Sequence, residues 1–90
     1  MEQKELIDII TKEVGCKFHS CESSNILIYG YRESDMSIWI VFKGNKNKIF
    51  QYYGITKDQF QDLHKAESKG KWVYANLVKP NVNYQAYELV

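Results

Sequence analysis

The residues best suited to bind a ligand lie in one short stretch, Ser-Lys-Gly-Lys at positions 68–71. This stretch separates two predicted helices. The free N–H groups that begin the second helix, together with the charges of Lys69 and Lys71, could hold a phosphate group. Gly70 is also well suited to end the first helix, and a simple helix cap is the favoured interpretation of the stretch when it is taken alone. The sequence predicts a phosphate site here and leaves the helix cap as the alternative.

Aromatic side chains elsewhere in the chain could hold a nucleobase. Aromatic rings stack on bases of any identity, and aromatic residues on strands hold single-stranded nucleic acid in several small sheets. Eight aromatic residues are too many to be buried together: Tyr29, Tyr31, Tyr52, Tyr53, Trp72, Tyr74, Tyr84 and Tyr87. Two or three exposed rings beside the lysines would be enough for a base-stacking site.

The predicted site combines the lysine-rich stretch with the nearest of these rings. Tyr52 and Tyr53 end a predicted strand, and Trp72 directly follows the stretch. Asn76 lies four residues after Trp72, on the same helical face, and its amide could hydrogen-bond the same ligand. The predicted ligand-binding residues are Tyr52, Tyr53, Ser68, Lys69, Gly70, Lys71, Trp72 and Asn76.

The sequence carries no catalytic signature. It contains no Gly-x-Ser-x-Gly or His-x-x-x-His motif and no carboxylate pair at a fixed spacing, so we expect a protein that is not an enzyme and uses no cofactor. Cys16, His19 and Cys21 are one ligand short of a tetrahedral zinc site, and His64 would have to supply the fourth from a distant helix. Ordinary thiols in a reducing compartment are the favoured interpretation.

The charge is small overall but uneven along the chain. The net charge is +1, with −3 over residues 1–42 and +4 over residues 43–90. Eleven of the twelve basic residues are lysine, which binds phosphate as a point charge but distinguishes base edges poorly. Affinity for a polymer rises with the number of phosphates neutralised, so this composition favours a compact nucleotide over a nucleic acid.

Length and composition predict one globular unit. Ninety residues, 44% of them hydrophobic and 14% aromatic, are enough for a single small core and are unlike a disordered chain. No run is long and apolar enough to span a bilayer, and no charged-then-apolar leader opens the chain. We therefore expect a cytoplasmic protein without a membrane partner.

Hydrophobic periodicity predicts an α+β fold. An apolar stripe predicts a helix over Glu2–Val14, and alternating apolar residues predict three strands joined by short turns. The strands are Ile26–Tyr31, Ser37–Lys43 and Lys48–Tyr53. Thr56 and Gln59 predict a capping box at the start of the next helix, and Trp72–Val78 predicts another helix. We therefore expect an N-terminal helix, a three-stranded antiparallel β-meander and two helices packed on one sheet face.

The N-terminal helix also bears on assembly. Its wide apolar stripe must be buried, either against the sheet or against a second copy of the chain. Together with the small size and the surplus of aromatic residues, this stripe predicts a homo-oligomer, most simply a homodimer.

Several short motifs follow one another in a recognisable order from Ser23 onward. They are Ser23-Ser24, Phe42-Lys43-Gly44, Phe50-Gln51-Tyr52, Ala66-Glu67-Ser68-Lys69-Gly70, Trp72, Asn76 and Tyr84. In this order the chain resembles the KTSC domain, a family named for its occurrence at the C-terminus of some lysyl-tRNA synthetases and also found as free-standing small proteins. The resemblance covers Ser23–Leu89. Residues 1–22 are then an added helix and linker, and residues 23–90 are a KTSC-like α+β domain. Phe50 departs from the family, which has tyrosine there, so one hydroxyl is missing.

Three functions remain open after this resemblance. The first is a non-catalytic nucleotide-binding protein, such as a phage-encoded sponge that sequesters a nucleotide second messenger. The second is an RNA-binding module, as has been suggested for the family, whose function is not established. The third is a protein-interaction module that uses the first helix or the sheet edge. The resemblance implies a bacterial or phage-infected bacterial cell, and the modest net charge favours the compact ligand.

Overall fold

A computed structural model describes residues 3–89 of the chain, in which one helix precedes four successive strands and further helices precede a fifth strand of the same sheet. In chain order the elements are α1 (Gln3–Val14), β1 (Phe18–Ser20), β2 (Ile26–Arg32), a 3₁₀ turn (Glu33–Asp35), β3 (Ser37–Phe42), β4 (Asn45–Tyr52), α2 (Lys57–Lys65), α3 (Lys69–Val73), a π-helical turn (Tyr74–Val78) and β5 (Tyr84–Glu88). The predicted first helix agrees with α1, except that Glu2 lies outside the described residues. None of the helices within residues 3–89 has the length and apolar character needed to cross a membrane.

The sheet has five antiparallel strands, and each strand pairs with its neighbour along the chain. The α+β class, the N-terminal helix and the antiparallel pairing of the three central strands agree with the prediction. The predicted number of strands was wrong, because β1 and β5 add one strand at each edge. The sequence suggested a short strand at Lys17–His19 in addition to the three, and β1 lies one residue further along the chain. Alternation did not indicate β5, since every residue of β5 is exposed. A strand that buries no face leaves no apolar period in the sequence.

Different helices cover the two faces of the sheet. On one face α2, α3 and the π-helical turn pack on the sheet through Phe60, Leu63, Val73 and Leu77. Two helices lie on this face as predicted, but the expectation of a sheet with one covered face was wrong, because α1 covers the other. The opposite face packs against α1, and its buried residues are Phe18, Ile28, Trp39, Val41 and Ile49. The stripe of α1 is therefore buried against its own sheet, and Ile10 is 2% exposed there.

A β-bulge in β2 decides which residues face which helix. The register between β2 and β3 shifts between Ile26 and Ile28. Ile26 consequently lies on the face covered by α2 and α3, whereas Ile28 lies on the face covered by α1. A strict period of two would have placed both side chains on the same face.

The predicted capping box at the start of α2 is confirmed. The Thr56 hydroxyl accepts a hydrogen bond from the Gln59 N–H at 3.2 Å, and the Gln59 side chain accepts one from the Thr56 N–H at 2.8 Å. The following helix begins earlier than predicted, at Lys69, and changes from α-helical to π-helical geometry at Tyr74. This early start places the Ser-Lys-Gly-Lys stretch inside the first turn of α3.

Candidate functional site

The Ser-Lys-Gly-Lys stretch forms the N-terminal cap of α3. The Ser68 hydroxyl accepts a hydrogen bond from the Lys71 N–H at 3.4 Å, and the Lys69 ammonium donates to the carbonyl of Ala66 at 3.1 Å. Ser68 therefore caps the start of α3. The alternative from the sequence, Gly70 as the cap that ends the preceding helix, was wrong, because α2 ends at Lys65 with Ala66 as its C-cap and Gly70 lies in the first turn of α3. Lys71 remains exposed at the surface. Phosphate binding by this stretch stays a prediction.

A groove lies beside the start of α3 and is built from three segments that are distant in sequence. Its volume is about 290 Å³, near the lower end for small-molecule sites. The residues that line this α3 groove are Asn25, Phe42, Gly44, Gly70, Val73, Tyr74 and Val78. Tyr74 is 54% exposed and Val78 is 51% exposed, so an aromatic ring and an apolar side chain are open to a ligand.

The turn before β2 holds one side of the α3 groove in place. The Ser23 hydroxyl accepts hydrogen bonds from the backbone N–H groups of Asn25 and Ile26, at 3.2 and 3.1 Å. The Asn25 carbonyl in turn accepts from the Lys43 N–H at 2.8 Å. A Cβ at Gly70 would lie 3.2 Å from Asn25 Nδ2 and 3.5 Å from Ser23 Oγ. Glycine at position 70 therefore lets α3 approach this turn closely.

Two lysines place positive charge on the same side of the molecule. Burial raises the pKa of the Cys21 thiol, and the nearby charges of Lys69 and Lys43 partly offset that increase. Both ammonium groups are thus near the segment that leads into the Ser23–Asn25 turn. With the exposed Lys71 they make the surroundings of the α3 groove attractive to an anion.

The structure does not bring all the predicted aromatic residues together. Tyr52 is 5% exposed and belongs to the core beneath α2 and α3. Trp72 is half-buried and packs against the same core. The Asn76 side chain donates to the Trp72 carbonyl of its own helix at 2.9 Å. Of the predicted rings, Trp72 is the nearest in sequence to the α3 groove, but it is not among the groove's lining residues.

Tyr53 lies on the opposite face of the sheet, within a polar network beneath α1. Its hydroxyl donates to Gln51 Oε1 at 2.8 Å, and Gln51 Nε2 donates to Asp35 at 3.0 Å. The Ser37 hydroxyl donates to Asp35 at 2.6 Å, and Arg32 Nε donates to the same carboxylate at 3.1 Å. Tyr53 therefore cannot share a ligand with the Ser-Lys-Gly-Lys stretch, from which the sheet separates it.

The Asp35 carboxylate of this network should make stability depend on acid pH. Its hydrogen bond with Arg32 lowers the pKa of Asp35, burial opposes this change, and the Ser37 hydroxyl lowers the pKa further. A carboxylate with a lowered folded-state pKa stabilises the fold at neutral pH, and this contribution is lost as the pH falls below about 5. We expect the unfolding midpoint of the parent protein to exceed that of Asp35→Asn at pH 7, and the difference to shrink on acidification.

Urea unfolding between pH 7 and pH 3 measures this difference. The exposed Asp62 on α2 provides the control, because Asp62→Asn should differ little from the parent at any pH. An Asp35→Asn effect that stayed constant across this pH range would contradict the role assigned to the carboxylate.

Of the seven residues that line the α3 groove, the sequence predicted only Gly70 as a ligand-binding residue, and three of the six that it missed are polar or aromatic. No motif or pattern in the sequence pointed to Asn25 as a binding residue. Phe42 belongs to the Phe-Lys-Gly motif that carries the family resemblance, but it was not assigned to a site. Tyr74 was one of eight aromatic residues recognised as too many for the core, and it is among the most exposed of them. A stacking ring should be exposed, which is the property that separates Tyr74 from Tyr52.

A larger cavity, of about 470 Å³, lies between α1 and the sheet. Arg32 is its one basic lining residue, and its guanidinium already bonds to Asp35 and to the carbonyl of Val14. Glu13 and Glu88 also line this cavity and would repel a phosphate. The smaller α3 groove, with lysines around it, is therefore better suited to an anionic group than this cavity is.

The cysteines and histidines do not form a metal centre within residues 3–89, where no group of three or more potential ligands is arranged to hold an ion. Cys16 and Cys21 are free thiols. Burial raises the pKa of Cys16 to about 11. His64 Nδ1 instead lies 2.7 Å from the Tyr29 hydroxyl, so this pair ties α2 to the sheet.

Comparisons with known proteins bear on both the family and the fold. The family model of the KTSC domain matches residues 22–80. Among solved structures, the crystal structure of a KTSC domain protein from Yersinia pestis is similar, with a TM-score of 0.69 and 24% sequence identity. The match covers 80% of this chain and 97% of that chain. No curated protein matches this chain.

Proposed function

The chain belongs to the KTSC domain family, and from this premise we propose that it is a non-catalytic nucleotide-binding protein whose ligand occupies the α3 groove. One observation carries the proposal. One groove is lined by residues from several of the motifs that carry the family resemblance, although these motifs are separate in the sequence. Phe42, Gly44 and Gly70 are among them. The Ser23 motif holds the adjoining turn through its hydroxyl.

The base would stack on Tyr74. This ring is more than half exposed, and Phe42 and Val78 supply apolar surface around it. The side-chain amide of Asn25 lines the same groove and makes no hydrogen bond within residues 3–89. An amide offers both donors and an acceptor, and so it can bond to the edge of a base.

The phosphate would lie toward the lysines. Lys43 and Lys69 are near the turn that borders the groove, and Lys71 projects from the first turn of α3. Exposed ammonium groups attract a phosphate as point charges, and salt screens this attraction. The volume of about 290 Å³ has room for one compact nucleotide, which favours this ligand over an RNA chain.

A protein that binds a nucleotide without converting it can remove from solution only as many nucleotide molecules as it has binding sites. We infer that it lowers the free concentration of a nucleotide second messenger in the cytoplasm of a bacterium, as a sponge of the kind a phage would encode. This role requires tight binding and abundant protein rather than turnover. Single-stranded RNA is the alternative ligand, and the same experiment distinguishes the two.

Thermal melting with a panel of ligands tests the proposal. The panel contains mononucleotides, cyclic mononucleotides, cyclic dinucleotides and short single-stranded RNA. A ligand at one hundred times its Kd stabilises the folded state by about 2.7 kcal/mol, so a true ligand raises the melting temperature clearly. A rise with RNA but with no nucleotide would replace the proposed function by RNA binding. No rise with any of them at millimolar concentration would refute both.

The binding residues can then be tested by calorimetry with the nucleotide that raises the melting temperature most. Tyr74→Ala should weaken binding by about 1–3 kcal/mol, because loss of one stacked ring has this effect. Tyr74→Phe keeps the ring and should bind like the parent. Lys71→Ala should weaken binding by about 1 kcal/mol at low salt, and added salt should reduce the difference. Lys57→Ala, at the exposed start of α2, is the matched control for charge.

Trp72 is a poor test of the predicted site, because truncation of this half-buried ring would also disturb the core. Equal affinity of Tyr74→Ala and Tyr74→Phe, with both proteins folded, would mean that the base does not stack in the α3 groove.

A further inference from the structure

Within residues 3–89, the strand β5 leaves one row of backbone groups without partners at the edge of the sheet. The Tyr53 N–H donates to the Asn83 carbonyl at 3.0 Å, and the Leu89 N–H donates to the Asn47 carbonyl at 2.8 Å. Both bonds fit the register in which Phe50 lies opposite Ala86. Backbone groups alternate in direction along an antiparallel strand, so odd-numbered residues of β5 bond to β4. The N–H and C=O groups that point away from β4 are those of Tyr84, Ala86 and Glu88.

Apart from the charge of Glu88, this edge lacks the features that usually protect an edge strand. Such strands are commonly shielded by proline, by lysine, by a bulge or by being very short. The β5 strand has five residues, no proline and no lysine, and its pairing with β4 shows no register shift. The other edge strand, β1, has only three residues. Within residues 3–89, β5 is therefore the edge best suited to accept another strand.

We propose that β5 pairs with β5 of a second copy of the chain, antiparallel and with the two-fold axis at Ala86, so that two sheets join into one. In this register Tyr84 lies opposite Glu88 of the second copy, and Ala86 lies opposite itself. All three residues have outward-facing backbone groups, so each can exchange N–H···O bonds across the axis. The same patch serves both copies, as a closed two-fold dimer requires.

The side chains favour a second copy as the occupant. Glu88 is the only charged residue in β5, and it lies 4.0 Å from the Lys48 ammonium on β4. Across the axis this carboxylate lies opposite the uncharged side chain of Tyr84, which is 52% exposed, rather than another carboxylate. The small side chain at position 86 causes no crowding where the two strands cross the axis. A charged or bulky residue there would have opposed self-pairing.

Alternative registers of the same pairing are less favourable. An axis at Tyr84 would place Ala86 opposite Val82, whose N–H already donates to the Leu77 carbonyl at 3.1 Å. The same axis would place Glu88 opposite Pro80, which has no N–H to donate. An axis at Glu88 would set two carboxylates directly opposite each other, which is destabilising. Among the three residues of β5 whose backbone groups point outward, these conflicts leave Ala86 as the centre.

Sedimentation equilibrium measures the assembly directly. The parent protein should show twice the 10.6 kDa mass of the chain at tens of micromolar. Ala86→Glu places two carboxylates together at the axis and should raise the dimer Kd by at least about tenfold. Ala75→Glu makes the same change at an exposed position on the π-helical turn and should leave the Kd unchanged. Circular dichroism confirms that each variant is folded.

Two results would overturn the interface. One is a monomer mass for the parent protein throughout this concentration range. The other is a folded Ala86→Glu variant that dimerises as tightly as Ala75→Glu.

Cross-linking tests the register without disturbing the strand. Residues in a hydrogen-bonded antiparallel pair have Cα atoms about 5.5 Å apart, within the range that a disulfide spans. Mild oxidation of Ala86→Cys should therefore give a disulfide-linked dimer on a non-reducing gel. The parent protein, which keeps the native thiols Cys16 and Cys21, and Ala75→Cys should remain uncross-linked. A dimer by sedimentation in which Ala86→Cys did not cross-link would overturn the axis at Ala86.

Discussion

Replacement of Trp39 by alanine is expected to lower the free energy of unfolding by about 3–5 kcal/mol, the usual range for a buried tryptophan. Trp39 is 6% exposed at the centre of the face that α1 covers. Its indole N–H donates to the Ser37 hydroxyl at 3.0 Å. The Tyr87 ring stacks on it at 5.6 Å between centroids, and the Arg32 guanidinium lies 4.8 Å from its ring centroid. Truncation would therefore leave a cavity and remove contacts that hold β3, β5 and Arg32 together.

Urea unfolding monitored by circular dichroism measures this loss. Trp72→Ala is the matched control, because it removes the same side chain from a half-buried position and should lower the free energy of unfolding by less. Equal losses for the two variants would contradict the central place assigned to Trp39.

The second large effect is expected at Leu63, which attaches α2 to the other face of the sheet. Leu63 is 0% exposed, in a cluster that also contains Ile40 and Val73. Leu63→Ala should lower the free energy of unfolding by about 2–5 kcal/mol, because neighbours close only part of the cavity that the missing atoms leave. The loss will lie nearer the lower end of this range if α2 can move toward the sheet and fill part of the cavity.

Leu6→Ala provides the comparison for Leu63→Ala. Leu6 lies on α1, only partly buried against the opposite face, so its truncation should cost less. The same urea titration measures both variants. A loss for Leu6→Ala as large as that for Leu63→Ala would mean that α1 contributes more to the core than its burial indicates.

Short-range patterns determined the local elements of this protein. The apolar stripe of α1 recurs at helical spacing, and apolar residues alternate along the three central strands. Each pattern indicates that one face of the element is buried. When the element is long, its apolar residues recur often enough at helical or strand spacing to be recognised. The capping box of Thr56 and Gln59 is equally local, because both hydrogen bonds form between residues three apart. The order of motifs from Ser23 onward also indicated the family.

The edges and faces of the sheet depended on tertiary contacts. Alternation cannot reveal β5, whose residues are exposed on both faces. The pairing of β1 depends on Gly30 in β2, where a Cβ would lie 2.6 Å from the carbonyl of Lys17. The bulge near Ile26 sends Ile28 to the face covered by α1, although spacing alone puts the two side chains on one face.

The candidate site likewise has one part that the sequence indicated and another part that depended on the tertiary structure. The sequence alone indicated Ser-Lys-Gly-Lys, because its residue types and its position between two helices are local features. Neighbouring residues of a strand point to opposite faces, so Tyr52 and Tyr53 could not both reach one ligand, and the structure puts Tyr52 in the core. Only the tertiary structure joined Asn25, Phe42 and Tyr74 in one groove, because the folding of the sheet and the docking of α3 decide which distant residues become neighbours.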